Sequence, residues 1–286
     1  MNHLGFATFG VDYREYDRLR EILEECRFAG LGPELSIYTK TSRYPDFMEE
    51  LARKREMFAP YYVTFHGPYS EVEATSPPGS QARQVMVEAY RQAFRCCRDF
   101  SAHTIVMHTN QKVHLTGDDG GLRENCISVI RELGEMAGEL GGGVRLLVEN
   151  VGIPKKDNVL FPMEEFIRMF DELPEDIGCL IDVGHAFINR WDMEEVIRRL
   201  KGRIASYHLH NNDGDRDSHR MLFEDHLYYG REDWRRLFAV MEEYTPGADW
   251  ILEYSPKNPI TPKAIAGEIR EILRLAEMRP GQHAVG

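Results

Sequence analysis

Six apolar runs in this chain each end in a side chain able to bind a metal ion. They are Phe65-His66, Val106-Met107-His108, Leu147-Val148-Glu149, Leu180-Ile181-Asp182, His208-Leu209-His210 and Ile251-Leu252-Glu253. A buried segment gains nothing from such an ending, because taking an unpartnered polar group out of water costs roughly 2 to 7 kcal/mol, and a charge more. Six endings of this kind need a common partner, and a divalent cation satisfies all of them. Three further donors lie close in sequence: Asp182 opens Asp182-Val183-Gly184-His185, and His210 is followed by Asp217-Ser218-His219. Mixed imidazole and carboxylate ligation suits zinc or manganese first and iron or cobalt next, with magnesium left open. No cysteine stands at these positions, and the histidines exclude an all-oxygen calcium cage.

These donors converge only if the backbone brings the run ends together. Short apolar runs alternate with longer amphipathic stretches along the whole chain, the pattern of βα units around a parallel sheet. Strands are expected over 4–8, 34–38, 62–66, 104–108, 145–149, 178–182, 204–210 and 250–253. Helices are expected over 13–28, 45–58, 81–100, 121–140, 163–170, 193–200, 234–243 and 262–278. In the third helix Val85, Ala89, Ala93 and Cys97 step by fours, with Met86, Tyr90 and Phe94 beside them, which makes a broad apolar stripe. Pro45 and Pro262 suit first-turn positions, and Gly141-Gly142-Gly143 stops the fourth helix; it precedes a strand and so is no phosphate loop. Eight strands alternating with eight helices predict one α/β domain over 1–286, a closed (β/α)8 barrel, with a disordered tail over 280–286. Sites in such barrels lie at the C-terminal ends of the strands, so all six endings face one mouth.

Composition narrows the function. The 286 residues carry a net charge of -12, from 47 acids against 35 bases, which argues against nucleic acid and anionic membranes and favours a small-molecule partner. Five cysteines, Cys26, Cys96, Cys97, Cys126 and Cys179, form an odd set without C-x-x-C spacing, consistent with reduced cytosol. No run approaches the roughly 20 apolar residues of a membrane span, and no signal sequence opens the chain; a soluble cytoplasmic protein is expected. Oligomerisation stays open.

The pieces Phe65-His66-Gly67, Met107-His108, Val148-Glu149-Asn150, Ile181-Asp182-Val183-Gly184-His185-Ala186, His208-Leu209-His210-Asn211-Asn212-Asp213, Asp217-Ser218-His219 and Leu252-Glu253 resemble the xylose isomerase-like TIM-barrel superfamily. That superfamily joins sugar and sugar-phosphate isomerases and epimerases with the endonuclease IV nucleases, and the resemblance runs in order through nearly the whole chain. It implies one of two ligand sets. The epimerase type holds one metal with two glutamates, an aspartate and a histidine, here Glu149, Glu253, Asp182 and His210. The endonuclease IV type holds three zincs with nine residues, which adds His66, His108, His185, Asp217 and His219.

The epimerase set makes Glu149 and Glu253 the acid/base pair as well as ligands, and the substrate a sugar or sugar phosphate. The complete nine-residue set keeps abasic-site phosphodiester hydrolysis as the alternative. Against it, the loop Tyr69-Ser70-Glu71-Val72-Glu73 puts two glutamates where a nuclease meets phosphate, and Arg220 to Tyr229 replaces a glycine-rich stretch with aromatics that narrow the mouth. A barrel that binds a metal or metabolite without turnover is a third reading. His208 is expected one layer below His210, and Glu34 begins the second strand with no clear role. Arg216 and Lys257 are solvated charges or phosphate contacts, and Trp191, Trp234 and Trp250 are packing residues.

Overall fold

A computed structural model describes residues 3–8, 16–37, 44–111, 115, 119–151, 159–257 and 260–277. Eight parallel strands close on themselves in sequence order: β1 (Leu4–Ala7), β2 (Gly32–Ser36), β3 (Thr64–His66), β4 (Thr104–His108), β5 (Arg145–Glu149), β6 (Gly178–Asp182), β7 (Ile204–Leu209) and β8 (Asp249–Leu252). The ring shuts where Leu4 pairs with Trp250. Around it lie α1 (Tyr16–Glu25), α2 (Tyr44–Arg53), α3 (Arg55–Phe58), α4 (Gln81–Asp99), α5 (Gly120–Leu140), α6 (Met163–Glu172), α7 (Val183–Ile188), α8 (Met193–Leu200), α9 (Arg231–Tyr244) and α10 (Pro262–Leu275). The expected (β/α)8 barrel is the observed fold. Among the described residues no helix is long and apolar enough to cross a membrane, and all five cysteines are free and buried.

Alternation along the strands explains why the donors point inward. Val106, Leu147 and Leu180 form an apolar cluster of their own, apart from the large core between sheet and helices. Side chains two residues apart on a strand share a face. His108, Glu149 and Asp182 therefore stand one step above that cluster, on the barrel's inner face and at the C-terminal mouth.

Caps set several helix starts: Ser80 Oγ accepts from Arg83 N (3.2 Å), Asp192 from Glu195 N (3.0 Å) and Thr261 from Ala264 N (3.1 Å), with Pro262 in the first turn as expected. Some bounds differ from the sequence reading. The helix expected over 45–58 is two, broken at Lys54, whose N–H is shared between the carbonyls of Glu50 and Leu51. The first helix stops at Glu25 and gives way to a 3-10 turn (Arg27–Ala29), closed by Gly30 at φ 65° in the left-handed region that glycine tolerates. The second strand starts at Gly32, so Glu34 lies in its middle. The starts expected at Tyr13 and Tyr38's strand end lie outside the described residues, as does the 280–286 tail.

The opposite end of the barrel is closed by a column of rings. Tyr62 stacks on His3 at 3.7 Å and on His103 at 3.8 Å, and Asp249 accepts from His3 N (3.2 Å) and the Tyr62 hydroxyl (3.1 Å). Burial pushes the Asp249 carboxyl up to about 6, despite those two donors. The folded state thus holds this proton more tightly than the unfolded chain does. Stability from this group is full below about pH 4 and is lost as pH rises towards 6, a change of about 3 kcal/mol. Urea unfolding at pH 4 and pH 7 should show that loss in the wild type and not in Asp249→Asn; equal pH dependence in both would refute it.

Candidate metal centre

The six strand-end donors meet at one mouth. His66, His108, Glu149 and Asp182 are the last residues of β3, β4, β5 and β6, while His210 and Glu253 directly follow β7 and β8. His185 arrives on α7, whose N-terminus is capped by Asp182 Oδ1 accepting from His185 N at 2.6 Å. Asp217 and His219 come from the irregular segment after β7. Their ligand atoms fall into overlapping groups, the members of each within 4.8 Å of one another: His66, His108 and Glu149; Glu149, Asp182 and His208; Asp182, His210 and Glu253; and His185, His210, Asp217 and His219. All nine residues singled out from the sequence are brought together, and His208 joins them.

Glu149 and Glu253 come from strands three places apart in the ring, yet both reach one atom. His208 Nδ1 lies 3.6 Å from Glu149 Oε2, 3.3 Å from Glu253 Oε2 and 3.8 Å from Asp182 Oδ2. His210 Nε2 stands 3.0 Å from Asp182 Oδ1, His108 Nε2 3.2 Å from Glu149 Oε2, and His185 Nε2 3.3 Å from Asp217 Oδ2.

Two features fit this donor set to divalent cations. Both carboxylate oxygens of Glu149, together with His208 Nδ1, His210 Nδ1 and Asp217 Oδ1, are buried without a hydrogen-bond partner. An unpaired buried carboxylate is costly unless a cation completes it. The imidazoles are also pinned from behind. His66 Nδ1 donates to Gly67 O (3.0 Å), His185 Nδ1 to Asn150 O (2.9 Å) and His219 Nδ1 to Glu253 O (3.2 Å), which aims each Nε2 inward. Outer partners of this kind fix tautomer and ring orientation for ligation. Behind His108 the bond runs the other way, with the Gln111 side-chain N–H donating to Nδ1.

The electrostatics are those of a crowded acidic pocket. Burial works to lower the proton affinity of His185 and His208, but the carboxylates around them overturn it and hold both rings well above the ordinary histidine range. His219 is pushed up to about 9 by Glu253, Asp217 and Asp182 acting against burial. Burial would raise Glu149, Asp217 and Glu253, and the facing imidazoles draw all three down instead. Protons and metal ions compete for the same lone pairs.

Several supports were not identified from sequence. Asn150 locks β5 to β6 by accepting from Asp182 N (2.8 Å) and donating to Asp182 O (3.0 Å). Asn211 donates to the carbonyls of Leu222 and Tyr229, and Asn212 to Gly184 O, so the Asn211-Asn212 pair ties the loop bearing Asp217 and His219 to the rim. Glu268 on α10 accepts from Leu222 N at 2.6 Å and secures the same loop. The motif strings carried the asparagines, but only the folded chain shows what they hold. Glu73 is occupied with Thr75 and the Gln111 N–H, bracing one loop on another. Arg216 pairs in solvent with Asp213 and Lys257 is exposed, while Trp234 and Trp250 are fully buried and Trp191 nearly so, as packing residues. The aromatics of the β7–α9 loop build a wall: Tyr229 packs on Phe187 of α7 at 4.1 Å and Tyr228 at 5.3 Å.

Gly184 is required by close approach. A Cβ there would sit 2.0 Å from His210 Cε1 and 2.3 Å from its Nδ1. Gly184→Ala should displace the His210 ring and weaken metal uptake by roughly 10 to 100-fold, the usual cost of disturbing a ligand's support. Titration with zinc against a chromophoric chelator measures this, and unchanged affinity would contradict the assigned contact.

The chain is 24% identical over 244 residues to an uncharacterized protein of Methanocaldococcus jannaschii, covering 83% of this chain and 89% of that one. Solved structures with the same fold include a D-tagatose 3-epimerase-like protein (TM-score 0.76, 18% identity, 96% of this chain and 98% of that chain). Others are an L-ribulose 3-epimerase (0.73, 18%, 96% and 94%) and the IolI protein with a bound zinc atom (0.72, 14%, 96% and 98%). The family model for the xylose isomerase-like TIM barrel matches residues 9–276, and the chain belongs to that family.

Proposed function

We propose that the protein is a metal-dependent isomerase or epimerase of a sugar or sugar phosphate, with Glu149, Asp182, His210 and Glu253 holding the ion. The observation that carries this reading is the convergence of Glu149 and Glu253, from β5 and from the end of β8, on the same point beside Asp182. The bound ion would supply positive charge next to a carbonyl oxygen, which makes the neighbouring C–H acidic. Glu149 would take that proton and Glu253 would return one from the other side, a division of labour that epimerisation needs. The epimerase and zinc-bound neighbours support this choice of chemistry by analogy of fold. Incubation of the metal-loaded protein with a panel of ketoses in D2O should place deuterium on the α-carbon. A broad panel without metal-dependent exchange would remove the reading.

A second reading rests on a separate observation. The nine donors form overlapping groups in which Glu149, Asp182 and His210 each serve more than one, an arrangement that suits several ions held side by side. Clustered ions are suited to phosphodiester hydrolysis, where they stabilise attacking and leaving oxygens together. Nicking of an abasic duplex at nanomolar protein, lost in His185→Ala, would favour it. Elemental analysis separates the two further: about one ion per chain supports the epimerase, about three the hydrolase.

A further inference from the structure

His208 and Glu34 are left over by both ligand sets, yet their side chains are completely buried inside the barrel beneath the donors. His208 Nε2 meets Glu34 Oε1 at 2.9 Å across the barrel from β7 to β2, and the Thr64 hydroxyl donates to Glu34 Oε2 at 3.3 Å. A carboxylate accepts only, so the His208 hydrogen facing it is on Nε2. The other ring nitrogen, Nδ1, has no hydrogen-bond partner and points up into the oxygens of Glu253, Glu149 and Asp182 at 3.3, 3.6 and 3.8 Å. Two donors about 2.1 Å from one ion stand roughly 3.0 to 3.4 Å apart. The spacing around His208 Nδ1 is close to that of a coordination sphere.

We infer that His208 is a further ligand, through Nδ1, of the ion held by Glu149, Asp182, His210 and Glu253, and that Glu34 is its positioning residue. This placement rests on the reading that a divalent ion is held there, and it extends that reading to two residues that it did not use. His210 Nε2 lies 3.0 Å from Asp182 Oδ1 and 3.9 Å from Asp217 Oδ1, so His210 meets the ion from the mouth side while His208 serves the carboxylates from below. His208 reaches the ion from the floor of the barrel, which leaves the rest of the mouth side open to substrate. Carboxylate, imidazole and metal in line is the arrangement by which an outer partner fixes a ligand's tautomer.

Zinc alone is the probe. Metal-free protein is titrated with Zn2+ against a chromophoric chelator for the wild type, His208→Gln, Glu34→Gln and Asp182→Asn. The expected result is weaker uptake at one site by roughly 10 to 100-fold in Glu34→Gln and by at least as much in His208→Gln. The zinc-loaded wild type, labelled with 15N in its histidines, should also show in long-range 1H–15N spectra one ring with hydrogen on Nε2 and a metal-shifted Nδ1. His66, His185 and His219 are pinned the other way round and give the opposite pattern. Should His208→Gln fail to fold, the wild-type spectrum and Glu34→Gln decide the matter. Wild-type zinc affinity in both variants, or no ring bound through Nδ1, overturns this inference while leaving the metal reading intact. No zinc uptake by the wild type, or full uptake by Asp182→Asn, overturns the metal reading itself and this inference with it.

Discussion

Glu149→Gln is expected to lower metal-dependent turnover by about 10^2 to 10^4-fold, the range found when a positioned acid or base is removed. The substitution keeps the volume of the side chain, so the core beneath it stays filled. What it deletes is the charge that draws His66, His108, His185 and His208 towards one point, together with the oxygen nearest the His108 ring. Glu253→Gln should behave differently in one respect. If Glu149 removes the proton and Glu253 returns one from the other face, the Glu253 variant loses product formation but retains exchange of the α-hydrogen with D2O. Product formation and deuterium exchange are therefore to be measured side by side. Equal loss of both in the two variants would leave the glutamates as ligands only, and near-normal turnover in Glu149→Gln would remove them from the chemistry.

The other large effect is on stability. Metal removal leaves Glu149 and Asp217 with buried, unpaired oxygens facing imidazoles. An ion present at about 1,000 times its dissociation constant stabilises the folded state by about 4 kcal/mol. For a chain of this length that corresponds to a fall in Tm of roughly 10 °C on treatment with a chelator. The effect has a definite pH dependence. His219 holds its proton up to about 9, and His185 and His208 are also raised, so ion binding expels protons throughout the neutral range. Each proton expelled makes affinity about tenfold tighter per pH unit. The metal-free protein moves the opposite way: stability that the raised histidines contribute is present below about 6.5 and declines as pH climbs towards 9. The gap in Tm between loaded and stripped protein should therefore widen from pH 6 to pH 9. Calorimetry at three pH values checks this, and a gap that is constant or narrows would show that these histidines are not displaced by metal.

Much of the site was legible because its rule is local. An apolar run closing on His, Asp or Glu is visible without knowing where the strand lies, and alternation of strands with amphipathic helices sends every such end to the same mouth. Features that escaped lack a local signal. The helix α7 is six residues long and buried all round, so it has no polar face to give it a period. Glu34 read as an oddity at the start of a strand. With β2 beginning at Gly32, it stands mid-strand and meets a histidine 174 positions away.

The sequence by itself determined the chemistry on offer and the end of the barrel at which it is presented, since residue type and the two-residue period of a strand are properties of the chain alone. Only the tertiary structure decided how the donors are shared. Which oxygen faces which ring nitrogen follows from the stagger of neighbouring strands and from hydrogen bonds between distant loops, such as Asn150 to Asp182, Asn212 to Gly184 and His219 to the Glu253 carbonyl. Those contacts exist only once the ring has closed.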